Sequence, residues 1–293
     1  MNPLATDLAV SAGLAAAAAF AAHRLRLLTA GGALGATAVG TVVLALGGWE
    51  WALLLIGFFA SSSAVTQWRA DDKAEAGRRF AKGGRRDLGQ VLANGGLPAL
   101  LAVAHWLVPD ALLFAAYAGA LGVATADTWA TEVGLLAEAP PRLVTTGEIA
   151  PPGTSGAVTV LGTVAAVVGA AAVGLAAAVL YSLRDVVLFG ALALWDPAGL
   201  PLLPIVALAG LAGAALDSLL GATVQAQYRP RRDADAARDR PREAHTLTER
   251  PRADDGAPHE RVRGWRWMTN DVVNTLALAA GAAVAWGLYV GLS

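Results

Sequence analysis

Cysteine is absent from this 293-residue chain, and charged residues make up only 15% of it. Without a thiol, the chain can form neither a disulfide-stapled secreted domain nor a cysteine-ligated zinc site. Soluble domains carry about 25% charged residues, so an ordinary soluble enzyme of this size is excluded. Disorder along most of the chain is excluded too, because 56% of the residues are hydrophobic. The composition predicts a polytopic membrane protein.

Several catalytic signatures are also missing. The sequence has no Walker A loop, no Gly-x-Gly-x-x-Gly fingerprint, no His-Glu-x-x-His and no Gly-x-Ser-x-Gly elbow. The histidines are scattered, which argues against a histidine-ligated metal; they are His23, His105, His245 and His259.

Eight apolar stretches approach the roughly 20 residues that a spanning helix needs: 3–22, 29–47, 51–67, 90–108, 111–136, 157–181, 201–226 and 268–291. The first lacks the basic start of a cleavable signal peptide, so we interpret it as a retained helix. A ninth stretch, 185–196, is too short to span and is interpreted as a half-helix or interfacial segment. Lipid excludes open strands. We therefore expect an all-α polytopic integral membrane protein whose single membrane domain covers 1–293.

Basic residues fall on one side of this topology. With eight spans, the loops that follow the first, third, fifth and seventh spans share a side, and they hold 21 of the 22 Lys and Arg residues, leaving Arg184. The positive-inside rule makes this side cytoplasmic, so we expect a multi-pass protein of the inner (plasma) membrane with its active face in the cytoplasm. Two loops carry most of this charge: a basic loop at 67–89, and an Arg- and Asp-rich loop at 228–266 that we expect to be flexible.

Polar residues in the spans gather near this same side. Ionisable groups inside a membrane are costly and are candidates for function. The set comprises Asp87, Asn94, Asp127, Thr128, Thr131, Glu132, Gly153, Thr154, Ser155, Gly156, Asp217, Ser218, Gln225, Asn270, Asp271 and Asn274. Some of these can also be read as helix caps, notably the Gly153–Gly156 turn and Asn270-Asp271.

Carboxylates and amides at one membrane surface favour a hard cation such as Mg²⁺. The metal candidates are Asp127, Glu132, Asp217 and Asp271. We expect Gly153–Gly156 to open the sixth span and to cradle phosphate at a helix N-terminus. Nearby cations that could neutralise phosphate are Lys82, Arg85, Arg86 and Arg142. This set is typical of Mg²⁺-dependent phosphoryl or nucleotidyl transfer to an apolar substrate. The spans that carry Gly119, Gly122, Gly210 and Gly213 are expected to pack closely and to flank a groove for a lipid tail.

At these motifs the sequence resembles the phytyl-phosphate kinase and transmembrane-protein-19 family, the domain-of-unknown-function 92 family of integral membrane proteins. The resemblance rests on Ser61-Ser62-Ser63, on Ala-Asp-Thr-Trp-Ala-Thr-Glu-Val-Gly at 126–134, and on the blocks at 82–96, 141–147, 152–156, 217–225 and 269–274. Related sequences often carry Cys and His before the last helix. This chain has an Arg- and Asp-rich loop there instead, which puts a metal role for that loop in doubt.

The resemblance implies a kinase that converts an isoprenoid monophosphate to the diphosphate with a nucleoside triphosphate, CTP or another, and Mg²⁺. Its partners would be the bilayer, the isoprenoid phosphate and the nucleotide, with no nucleic acid. The residues expected to act directly are Asp127, Glu132, Asp217, Asn94 and Gln225, and those expected to orient ligands are Asp87, Thr128, Ser218, Asn270 and Asn274. The alternatives are a CTP-dependent polyprenol kinase, a lipid-phosphate cytidylyltransferase, and a transporter or scaffold without catalysis.

Overall fold

The computed structural model describes residues 3–77, 84–189, 199–229, 247–253 and 256–292. Within these ranges, eight helices are long and apolar enough to cross a membrane, which confirms the predicted number of spans. They are α1 (Pro3–Arg24), α2 (Ala30–Val42), α3 (Trp49–Gln67), α5 (Leu88–Leu107), α6 (Ala111–Gly134), α7 (Val160–Phe189), α8 (Leu202–Thr223) and α9 (Asn270–Val290). A π-helical turn (Val43–Gly47) extends α2, and a short helix, α4 (Ala70–Gly77), follows α3. The described residues of the connections 25–29, 68–87, 135–159 and 224–269 lie at one end of the bundle, which we call the basic face.

Helix α6 is the centre of the bundle. It packs against α7, α8 and α9, and all its residues from Leu113 to Ala126 are buried. Glycines make this packing close, because a Cβ added at Gly213 would lie 2.3 Å from Val123 Cγ2, and one added at Gly119 would lie 2.5 Å from Ala285 Cβ.

The close packing expected of the spans that carry these glycines is confirmed, while the lipid-tail groove that they would flank stays a prediction. Neighbouring helices fill the space at Gly119, Gly122, Gly210 and Gly213.

The end of the bundle away from the basic face is closed by aromatic rings. Trp51 lies with its ring centroid 4.5 Å from that of Tyr117 and 5.4 Å from that of Phe114. The Tyr117 hydroxyl donates a 2.6 Å hydrogen bond to the Trp51 carbonyl oxygen, which satisfies a buried polar group that would otherwise be costly. This half of the bundle is tightly filled.

Helix α7 is longer than the sequence predicts. The predicted end at 181 and the separate segment at 185–196 are corrected, because α7 continues without a break to Phe189. The physical reason is local: the stretch from Tyr181 to Phe189 contains neither glycine nor proline, so nothing interrupts the backbone ladder. Residues 190–196 of the predicted segment lie outside the described residues.

Two short antiparallel pairs of strands occur in connections at the basic face. Strand β1 (Arg142–Leu143) pairs with β2 (Ala157–Val158), and β3 (Gln227–Arg229) pairs with β4 (Glu260–Arg263). The spans themselves are helical, as expected. The ends of the 228–266 loop are thus paired to each other; its residues 230–246 and 254–255 lie outside the described residues.

Candidate functional site

A cavity of about 870 Å³ lies at the basic face. Binding pockets for small molecules span roughly 300–1,000 Å³, so this one is near the upper end. Its walls come from every helix from α3 to α9 and from the 135–159 and 224–269 connections. It is therefore built from segments far apart in the sequence.

The cavity collects most of the residues that the sequence singles out. Those that line it are Asn94, Asp127, Thr128, Thr131, Glu132, Gly153, Thr154, Ser155, Gly156, Asp217, Ser218, Gln225, Asn270 and Asn274. Five separate polar segments therefore meet around one space. Their roles in binding or catalysis remain predictions.

Other candidates lie away from the cavity lining. Asp87 caps α5: its Oδ1 accepts from the Gln90 backbone N–H at 2.9 Å, and Gln90 Oε1 accepts in return from the Asp87 N–H at 3.1 Å. Arg85 Nη2 donates to the Leu28 carbonyl oxygen at 3.0 Å.

The exposed Arg142 donates through Nη1 to the Gly147 carbonyl oxygen at 2.7 Å. Asp271 lies in the first turn of α9 and is outside the lining. Lys82 lies outside the described residues.

Asp127 and Asp217 project from α6 and α8 at membrane depth. Asp127 lies seven residues before the end of α6, about 10 Å along the axis at 1.5 Å per residue. Within the described parts of the chain, its carboxylate has no hydrogen bond or ion pair to a protein group. Asp217 Oδ2 accepts a 3.0 Å hydrogen bond from the Asn274 amide, with that amide oriented to donate.

A third carboxylate, Glu249, lies near these two, and the three repel one another electrostatically. Like charges at one site are costly unless a cation neutralises them. In the described ranges, no three His, Cys, Asp or Glu side chains are placed to hold a metal ion by themselves. A cation here would therefore need ligands from amides, water or a bound phosphate as well.

Glu249 is a cavity residue that the sequence analysis missed. Its Oε1 accepts hydrogen bonds of 2.7 Å from both Ser155 Oγ and Gln225 Nε2. The bonds bring the 247–253 segment against the glycine turn and the end of α8. No pattern in the sequence marks Glu249, because it is one of eight acids in the Arg-rich stretch 229–266.

Lys73 is the second residue missed, and it binds Glu132. Lys73 is only 5% exposed, and its Nζ donates to Glu132 Oε2 at 2.6 Å and to the Val65 and Thr66 carbonyl oxygens at 2.9 Å each. An ammonium has three donors, so all of them are used. This pair ties α4 to α3 and α6, an arrangement better suited to positioning than to metal binding by Glu132.

Arg86, rather than Arg85, is the arginine of this block that lines the cavity. Its Nη1 donates to Ser63 Oγ at 2.5 Å, and its guanidinium lies over the Phe59 ring at 5.1 Å. Its backbone bonds to the α1–α2 connection, accepting from Thr29 N–H at 3.0 Å. Burial lowers the pKa of Arg86 to about 10, while the charge of Glu132 acts to raise it. Arg86 therefore remains a cation at neutral pH.

The Gly153–Gly156 turn does not begin a helix, which corrects the expected placement. Gly153 and Gly156 have φ values of +81° and +77°, a left-handed conformation that a right-handed helix cannot include. Strand β2 follows, and α7 begins only at Val160. A Cβ at Gly156 would lie 2.3 Å from the Ala222 backbone nitrogen, so the turn packs directly on α8. Any phosphate contact would use the turn itself and not a helix N-terminus.

Comparisons with known proteins agree with this architecture. The family model described as "Integral membrane protein DUF92" matches residues 13–282. Protein PGR of Arabidopsis thaliana is 33% identical over 71% of this chain and 75% of its own length. An uncharacterized membrane protein of Methanocaldococcus jannaschii is 33% identical over 67% of this chain and 74% of its own. An uncharacterized membrane protein of Synechocystis is 29% identical over 90% of this chain and 83% of its own length. No solved structure matches the chain.

Proposed function

The chain belongs to the DUF92 family of integral membrane proteins, and on that premise we propose that it is a kinase. The reaction transfers a phosphoryl group from a nucleoside triphosphate to an isoprenoid monophosphate and gives the diphosphate. One observation supports this most: carboxylates on α6 and α8 share a membrane-embedded cavity with Arg86, amides and a glycine turn. We place the basic face in the cytoplasm, where nucleotides are found, by the positive-inside rule.

The chemistry suits a site without a general base. An anionic oxygen of the substrate phosphate attacks the γ-phosphorus, the bond to the β–γ bridging oxygen breaks, and the nucleoside diphosphate leaves with that electron pair. No proton has to be removed from the nucleophile, unlike in the phosphorylation of an alcohol. The main barrier is repulsion between two polyanions, which positioned cations relieve.

Asp127 and Asp217 are the residues we assign to Mg²⁺. The ion takes one or two carboxylates and completes its shell with water and phosphate oxygens, which agrees with two carboxylates that form no ion pair within the described residues. Bound there, Mg²⁺ would neutralise phosphate charge. Asn274 orients Asp217 through the 3.0 Å hydrogen bond.

Arg86 is the residue we assign to phosphate. Its guanidinium is held in place by Ser63 and Phe59, so little ordering is needed when an anion binds. Glu132 and Lys73 line the same cavity and hold each other in place through their 2.6 Å ion pair. Arg86 then faces an anion without losing its own anchors.

The test is a product assay with the purified full-length protein. Phytyl or geranylgeranyl phosphate is incubated with CTP, ATP or GTP and Mg²⁺, and the products are identified by mass. We expect a product heavier by one phosphoryl group. A product heavier by a nucleotidyl group would make the protein a cytidylyltransferase instead, and no product beside a working positive-control kinase would overturn the proposal for these substrates.

A further inference from the structure

The cavity has an apolar side between α7 and α8. Its lining there consists of small or aliphatic residues at the basic ends of the two helices: Gly162, Thr163 and Ala166 from α7, and Leu211, Ala214 and Ala215 from α8. This side differs from the polar walls on α5, α6 and α9. The same space is therefore polar in one direction and apolar in the other.

Two of these lining residues also lie on the outer surface of the bundle. Thr163 and Ala215 are both exposed. On α7, Thr163 continues a helical stripe with Val160 and Val167, which are 84% and 42% exposed. On α8, Ala215 continues a stripe with Leu208 and Leu219, which are 56% and 46% exposed. Apolar stripes of this kind on spanning helices face lipid, and Thr163 and Ala215 connect these stripes to the cavity lining.

The opening is confined to the half of the membrane nearest the basic face. Farther along, α7 and α8 touch: a Cβ added at Gly210 would lie 2.6 Å from Ala170 Cβ, and one added at Gly174 would lie 2.6 Å from the Leu203 carbonyl oxygen. Ala215 lies eight residues before the end of α8, about 12 Å along the axis. Ala166, Leu211 and Ala214 also pack with Ala126 and Ala170 in one apolar cluster. The gap therefore lies on the basic side of this cluster, beside Thr163 and Ala215.

We infer that this gap is the binding groove for the hydrocarbon chain of a lipid phosphate, which enters the cavity sideways from the bilayer. The inference rests on the proposed function for the identity of the phosphate group. The phosphate lies beside the carboxylates, Arg86 and the glycine turn, and the first part of the chain lies between α7 and α8. Because the gap is open on its lipid side, the rest of the chain stays in the bilayer. The protein therefore recognises the phosphate and the first part of the hydrocarbon chain, and its affinity does not depend on the length of that chain.

Blocking variants test the position of the groove. Ala215→Trp and Thr163→Trp place a bulky ring in the gap. Their matched controls are Ala212→Trp and Val164→Trp, which lie on the same helices at exposed positions that do not line the cavity. We expect binding of geranylgeranyl phosphate, measured by native mass spectrometry of the full-length protein in nanodiscs, to fall at least about tenfold in the blocking variants, and to stay within about twofold in the controls. Equal effects in both sets would overturn the inference.

A photoactivatable isoprenoid phosphate provides a second measurement that does not depend on folding of a variant. A diazirine near the phosphate end should cross-link wild-type protein to peptides that contain 160–166 or 211–215. The matching isoprenoid alcohol, which lacks the phosphate, should label them much less. Equal labelling by the alcohol would show that the gap contacts lipids without recognising the phosphate, which would overturn the inference. Labelling of other peptides would show that the chain binds in another groove and would overturn it as well.

Chain length separates this inference from the proposed function. We expect apparent affinities for farnesyl, geranylgeranyl and longer polyprenyl monophosphates that agree within a few-fold, and a sharp optimum would contradict an open groove. If lipid phosphates bind and cross-link as expected but are never phosphorylated, the kinase proposal is wrong and the inference of a binding groove is still supported. If phosphorylation occurs and the blocking variants do not affect it, the inference of a binding groove is wrong and the proposed kinase function is still supported.

Discussion

The two ends of α6 lie in contrasting surroundings within one helix. From Leu113 to Ala126 every residue is buried against neighbouring helices, and the aromatic cluster of Trp51, Phe114 and Tyr117 closes that end. From Asp127 onward the helix lines the cavity. Both parts lie within one predicted span.

The difference shows how a membrane bundle accommodates costly polar groups. Where helices approach closely through glycine and alanine, the side chains are apolar except for Tyr117 and Thr125, whose hydroxyls donate to backbone carbonyl oxygens. Toward the basic face, carboxylates and amides on α6, α8 and α9 face a shared cavity instead of lipid. We expect substitutions in the packed end to change stability and substitutions in the cavity to change activity.

The largest effect is expected at Asp217. Asp217→Asn should lower phosphoryl transfer by about 10²–10³-fold, the usual loss when a positioned electrostatic group is removed. The measurement is product formation per folded protein. A matched control is Asp72→Asn, since Asp72 is 52% exposed in a surface pair with Arg69 and should have almost no effect. Comparable loss in the two variants would contradict the assignment.

The next effect concerns the Lys73–Glu132 pair, which lies in the cavity end but also ties α4 to α3 and α6, so we expect it to affect stability. Lys73→Met leaves the Glu132 carboxylate, only 21% exposed, without its cation. We expect the free energy of unfolding to fall by about 3 kcal/mol. The double variant Lys73→Met/Glu132→Gln should recover part of it, because the uncompensated charge is gone. A double variant no more stable than the single one would show that the pair acts by some other means.

A smaller effect is expected in the packed end. Gly213→Ala should cost roughly 1–3 kcal/mol of stability, because the new Cβ would lie 2.3 Å from Val123 Cγ2 and 2.9 Å from the Ala277 carbonyl oxygen. Gly57→Ala on α3 is the matched control, with no heavy atom within 4 Å of an added Cβ. A thermal unfolding series compares the two. Equal stability of both variants would contradict the close packing.

The smallest effect is expected at Arg142. The sequence suggests it as a phosphate ligand, but it is exposed and bonds to Gly147 away from the cavity. Arg142→Ala should therefore leave activity within about twofold, as surface changes usually do, whereas Arg86→Ala should lower it by tenfold or more. Steady-state kinetics on the two variants decides between them. The reverse order would restore the sequence-based assignment.

The sequence predicted the spans well, because a run of about 20 apolar residues with few charges is typical of a transmembrane helix. It also predicted that Asp127, Asp217 and Asn274 share one depth, because an eight-span topology places their helix ends on one side. It did not find Glu249, which reaches the cavity through a long loop, nor Lys73, whose partners depend on how α4 folds back. It misplaced the glycine turn because the φ values of Gly153 and Gly156 come from packing on α8, which spacing cannot reveal.

The most direct test of the account is Asp127→Asn, followed in activity and thermal stability on the same preparation. Asp127 has no hydrogen bond or ion pair to a protein group within the described residues, and it lies near the like charges of Asp217 and Glu249. Removing its charge should therefore lower Mg²⁺-dependent transfer of labelled γ-phosphate to geranylgeranyl phosphate by about 10²–10³-fold, as at Asp217, while leaving the melting temperature unchanged or raised. A variant that keeps full activity, or that loses activity only because it unfolds, would contradict the claim that this carboxylate serves the reaction.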